Sequence, residues 1–101
     1  MGKMNRLWSI FTDDMDTCIF TGSNIVERHH VFAGKARRKK CEKYGFIAPL
    51  RPDKHPNGVY FVRTEENLKI DNYLKQQCQI YFECHYGSRE DFRKEFGKSY
   101  L

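Results

Sequence analysis

The chain has 101 residues, 40% apolar and 15% aromatic, which fits one folded domain with a modest core and argues against a disordered segment. Its 18 Lys and Arg outnumber 13 Asp and Glu to give a net charge of +5, compatible with an acidic or nucleic-acid partner and equally with plain solubility. No apolar run approaches the ~20 residues of a membrane span. Met1-Gly2-Lys3-Met4 lacks the apolar run of a secretory signal, so Cys18, Cys41, Cys78 and Cys84 are expected as reduced thiols in a cytoplasm.

In chain order, Leu7 to Thr12 alternates apolar and polar residues and predicts a strand that Asp13-Asp14 ends. Cys18 to Asn24 predicts a second short strand closed by a Gly-Ser-Asn turn, and Ile25 to Phe32 a third. Gly34 breaks the pattern. Lys35 to Tyr44 is a basic run of good helix formers with Gly45 as C-cap. Phe46 to Leu50 reads as a buried strand in which Pro49 demands an edge or a bulge. Thr64 caps the longest helix, with Glu65 and Glu66 at the positive end of its dipole. Ile70, Leu74, Cys78, Tyr81 and Phe82 form its apolar face, and its end is expected near Cys84. Ser88 and Asp91 have the spacing of a capping box for a last helix that buries Phe92 and Phe96. These elements predict a single α+β domain over residues 1–101, with short antiparallel strands first and helices at the C-terminus.

Candidate chemistry concentrates in Glu27-Arg28-His29-His30-Val31-Phe32. Adjacent strand residues point to opposite faces, so His29 and His30 can take separate roles, one toward a metal and one toward a proton. His55 lies in Lys54-His55-Pro56-Asn57-Gly58, where Pro and Gly mark a turn able to bring it back beside the pair. A zinc site needs three or four ligands from separate elements, and His29 or His30 with His55 supplies two.

Glu27 to Gly34, then Cys41 to Gly45, His55, Asn57-Gly58, Ser88 to Phe92 and Phe96 to Leu101 together resemble a group of small phage-encoded HNH (ββα-metal) nuclease-like proteins. The resemblance covers most of the chain from Cys18 onward. It implies a β-hairpin and helix around one divalent metal, Zn2+ or alternatively Mg2+ or Mn2+, with His29 and His55 as ligands. It also implies His30 as the base that activates water against a phosphodiester, if the protein is an active nuclease.

The chain departs from that pattern in several places. Cys18 is followed by Thr21 rather than a second cysteine, and Arg51 and Lys54 stand where another cysteine pair is usual. The middle Asn is replaced near Ala36, and Arg63 lies near the place of the third histidine. Asp53, Glu65, Cys84 or His85 would have to complete a metal shell, although a histidine at a helix end is also favoured by the dipole alone. Cys78 belongs to the apolar helix face.

Lys35, Arg37, Arg38, Lys39, Lys40 and Lys43 form the densest charge run, a phosphate or acidic-partner contact or else a solvated helix face. The resulting expectation is an HNH-like domain with a degenerate catalytic pattern, kept as a zinc-binding protein in the cytoplasm of a bacterial host. By context its partner is a host nucleic-acid enzyme, with anti-CRISPR inhibition of a type II CRISPR effector nuclease as the leading case. The alternative is an active metal-dependent endonuclease that cuts DNA.

Overall fold

Local capping and turn chemistry set the element boundaries. The computed structural model describes residues 7–101, so the Met1–Met4 stretch lies outside the described residues. The elements are β1 (Glu27–His30), α1 (Lys35–Tyr44), β2 (Ile47–Leu50), a 3-10 turn (Pro52–Lys54), α2 (Glu65–Leu68), α3 (Ile70–His85) and α4 (Arg89–Phe96). β1 and β2 form a two-stranded antiparallel sheet that pairs Glu27 with Leu50, Arg28 with Pro49, His29 with Ala48 and His30 with Ile47. The fold is α+β.

Helix ends follow the residues that cap them. Gly45 ends α1 in the left-handed region at φ 76°, and the Trp8 ring packs so closely that a Cβ there would come within 2.7 Å of it. The Thr64 side chain accepts the Asn67 N–H at the start of α2, and Ser88 and Asp91 close a reciprocal capping box on α4. The expected single long helix is divided at Lys69 into α2 and α3, and α3 ends at His85.

Two expected strands do not form. Within Leu7–Thr12, Ser9 Oγ accepts the Phe11 N–H, and just beyond it Thr12 Oγ1 accepts the Asp14 N–H and the Asp14 carboxylate accepts the Asp16 N–H. Such local bonds occupy backbone groups that a ladder would need. Cys18–Asn24 folds onto itself, with Cys18 N–H donating to Ser23 O and Gly22 N–H to Cys18 O. The third expected strand, Ile25–Phe32, is trimmed to Glu27–His30, and Phe46 falls just outside β2. In a sheet of two strands each strand is an edge, which accommodates Pro49; its carbonyl accepts the Ile19 N–H at 3.2 Å.

Aromatic rings fill the core. Phe32, Phe46, Phe92 and Phe96 are fully buried, with ring centroids from 4.3 Å for Phe32–Phe96 to 6.0 Å for Phe32–Phe46. This cluster joins the end of β1, the start of β2 and helix α4, while Leu74, Cys78 and Phe82 bring in α3. The C-terminus is tied to α3 by the buried Gln79, whose side chain accepts the Tyr100 N–H at 2.7 Å and donates to Ser99 Oγ at 3.0 Å. No helix among the described residues is long and apolar enough to cross a membrane.

Phe96→Ala is expected to lower the free energy of unfolding by about 3–5 kcal/mol through the cavity it leaves, measured by urea denaturation. A loss below ~1 kcal/mol would contradict this description of the core.

Candidate functional site

An extended β1 sends Glu27 and His29 to one face and Arg28 and His30 to the other. On the first face His55 returns: its Nδ1 lies 2.5 Å from Glu27 Oε1, and its ring meets that of His29 edge to face at a centroid distance of 4.8 Å. On the second face α1 supplies Glu42, whose Oε2 is 3.0 Å from His30 Nε2. Where the strand ends, His29, His30 and His55 all reach one cleft of about 210 Å³, lined also by Arg28, Phe32, Ala33, Gly34, Arg38, Pro56 and Asn57.

The loop that carries His55 is held from below. Buried Asn67 donates to Asp53 O at 3.1 Å and Val62 O at 2.8 Å and accepts from Lys54 Nζ at 2.9 Å, while Val62 N–H donates to Asp53 O. Asn57 adopts φ 66°, and Gly58 lies so close to the imidazole that a Cβ would come within 2.9 Å of His55 Nδ1. The ring therefore has its Nδ1 side fixed between Gly58 and Glu27, which leaves Nε2 for a ligand.

Desolvation dominates the electrostatics of His29. The residue is 6% exposed, and burial, followed by the nearby His55 and His30, pushes its pKa from 6.5 down to about 3. A neutral imidazole is the form that can donate a lone pair to a metal. His29 Nε2 and His30 Nδ1 are buried without a hydrogen-bond partner, an expensive arrangement that points to ligand atoms.

The expected residues divide between this cleft and other places. His29, His30, His55 and Arg38 come together. Asp53 does not join them: Arg51 holds its carboxylate through two bonds of 2.5 and 3.0 Å, and that side-chain pairing lowers its pKa. Glu65 is exposed in the first turn of α2. Cys84 and His85 line a separate groove with Ile10 and Phe11, where the His85 ring stacks 4.1 Å from Tyr81. Cys41 and Cys78 pack in the core cluster, where burial pushes both thiols up.

The basic run is similarly divided. Lys40 donates to Glu95 O at 2.8 Å, Lys43 lies over the Tyr44 ring, and Arg37 rests against Gly97. Lys35, Arg38 and Lys39 are exposed and form no ion pair among the described residues, and Arg38 alone of the three lines the cleft.

A divalent metal fits this donor set in part. His29 and His55 offer two imidazoles, and Glu27 behind His55 reproduces the carboxylate–histidine support found at many metal sites. Among the described residues, no group of three or more His, Cys, Asp or Glu side chains is placed to hold a metal, so the remaining ligands would be water or a partner's atoms. Sequence reasoning missed Glu27 and Glu42. Glu27 was within reach of it, because a strand places residue i−2 on the face of His29; Glu42, 12 residues from His30, carries no such signal. Comparison with protein-family models, curated proteins and solved structures found no match to this chain.

Glu27→Gln is expected to weaken zinc binding about 10- to 100-fold in a competition titration while both histidines remain in place. In metal-free protein the His29 contribution to stability has a definite sign. Its folded pKa of about 3 lies below the ordinary 6.5, so the unfolded chain binds the proton first, and the contribution is complete above pH 6.5 and falls as pH drops toward 3. His29→Gln should flatten the unfolding free energy over that window by up to about 1.4 kcal/mol per pH unit, read from urea denaturation at each pH in chelator.

Proposed function

We propose that the chain is an HNH-like metal-binding domain whose catalytic set is incomplete and which acts as a binding protein. The observation that carries this reading is the pairing of His29 with a Glu27-backed His55 in a cleft where, among the described residues, no third protein ligand joins them. His29 Nε2 and the free side of His55 would hold a divalent metal, zinc first by donor type. Such an ion would add its binding free energy to the stability of a small core. Two protein ligands leave the shell open to water or to a partner.

The exposed Lys35, Arg38 and Lys39 on α1 support an acidic or nucleic-acid-handling partner. Within that class, a host nucleic-acid enzyme, and first a type II CRISPR effector nuclease, is proposed on the resemblance alone.

One observation favours the second reading, an active metal-dependent endonuclease. Glu42 accepts from His30 Nε2–H and so leaves Nδ1, buried and unpartnered, as a base in the cleft. This is the arrangement by which a carboxylate fixes a catalytic imidazole's tautomer.

Metal analysis of the purified protein combined with plasmid nicking in zinc, magnesium and manganese separates the two. Bound metal without nicking is expected, and His29→Ala, His55→Ala should remove the metal and lower the melting temperature. Metal-dependent nicking that disappears in folded His30→Ala would transfer the assignment to the nuclease. If α1 makes the partner contact, Arg38→Glu with Lys39→Glu should abolish inhibition of the effector without unfolding the protein, and wild-type inhibition should weaken as salt rises. Inhibition indifferent to both would place the contact elsewhere.

A further inference from the structure

Helix α1 carries its free lysines in a line. Lys35, Lys39 and Lys43 follow one another at four-residue steps, all are exposed, and none forms an ion pair among the described residues. The helix rise sets them about 6 Å apart along one face. Glu42, the single acid of α1, is turned instead to His30 Nε2.

At Lys43 this stripe meets a groove of about 370 Å³ between α1 and α4, lined by the rings of Tyr44, Phe82 and Tyr86. Tyr44 and Phe82 are buried, whereas Tyr86 is 48% exposed. The Tyr86 ring is nonetheless braced, edge to face on Tyr44 at 4.9 Å and tilted against Phe82 at 5.7 Å. A half-exposed ring held by its neighbours offers contact area at little cost in conformational entropy. Across the groove Lys94 is exposed and likewise forms no ion pair among the described residues. The two carboxylates that line the groove are already engaged: Asp91 Oδ2 accepts the Ser88 N–H at 2.9 Å, and Glu95 Oε1 lies 3.5 Å from Lys40 Nζ. The charge left for a visitor is therefore positive.

We infer that the groove and the lysine stripe together receive an extended acidic segment of a partner protein, with an aromatic side chain seated against Tyr86 and carboxylates on the lysines. Alternate residues of an extended chain are about 7 Å apart on one face, close to the spacing of the stripe, so acids at every second position meet Lys43, Lys39 and Lys35 in turn. A peptide places its ring away from its charges. A nucleic-acid strand instead carries a phosphate beside every base, and Asp91 and Glu95 in the groove oppose that charge. The inference rests on the reading of the chain as a binding protein and gives that partner's contact its chemistry; it uses neither the histidines nor a metal.

The test is an amide-shift titration of the full chain with a blocked nonapeptide, Glu-Ser-Glu-Ser-Trp-Ser-Glu-Ser-Glu, whose symmetry serves either chain direction. Saturable shifts at Lys39, Lys43, Tyr86 and Lys94 are expected, with an affinity that falls as salt rises. Replacing the peptide's tryptophan by alanine should weaken binding about tenfold, as should Lys43→Ala with Lys94→Ala in the protein. Tyr86→Ala, checked for folding by circular dichroism, should weaken it as well. Lys69→Ala, whose lysine borders a different groove with Phe20 and Tyr73, should leave it within about twofold. The absence of saturable shifts at these residues would overturn the proposal. Equal binding of the alanine peptide would also overturn it by reducing the surface to diffuse charge, and tighter binding of decathymidylate at the same residues would do so by making it a nucleic-acid surface. Metal content and plasmid nicking of the same preparation keep the two readings apart: a metal-bound protein that neither nicks DNA nor takes the peptide loses this proposal alone.

Discussion

Four residue pairs hold Glu27–His30 against Ile47–Leu50, and the side-chain period of a strand is two, so a slip by one residue would send Glu27 and His29 to the far side. In the observed register those two share the face that meets His55, and His30 takes the face that meets Glu42. The separation of the imidazole that meets His55 from the one bound to Glu42 follows from that alternation. Both arrive at one cleft because the strand ends there and the chain turns through Ala33 and Gly34 into α1.

Two short strands cannot sustain this register alone. It is fixed by what lies on either side of the cleft: Phe32 just after β1 and Phe46 just before β2 pack into the cluster of Phe92 and Phe96, and Leu50 closes the sheet's buried face. Opposite them, Asn67 ties Asp53 to Val62 and so sets the loop from which His55 projects. The imidazoles are thus placed by an apolar cluster on one side and an amide clamp on the other. Their unpartnered nitrogens, costly in an empty core, are kept there by packing that is stabilised elsewhere.

The parts of this fold that were legible in the sequence are those governed by neighbours in the chain. Helix α1 with Gly45, the Thr64 cap and the Ser88–Asp91 box each depend on a few consecutive residues, and each forms as their chemistry dictates. The strand expected at Leu7–Thr12 had suitable alternation and that at Cys18–Asn24 a closing turn, but neither signal supplies a partner strand, and local bonds claimed the backbone instead. In the site, the approach of His55 to His29 was readable from the Pro-Asn-Gly turn. The divisions within the basic run were not, since Arg37 and Lys40 are drawn away by α4 and the C-terminal segment more than 50 residues later. Likewise nothing near Gln79 announces that its amide holds Ser99 and Tyr100.

Two imidazoles with a carboxylate behind one of them would offer a metal a donor set of nitrogen and oxygen, while the Cys41 and Cys78 thiols lie in the core cluster. X-ray absorption at the zinc edge of the loaded protein tests that most directly. Scattering from two imidazoles in a first shell of only nitrogen and oxygen at ~2.0–2.1 Å is the predicted result, and a sulfur shell near ~2.3 Å would place the metal on cysteine and contradict the account.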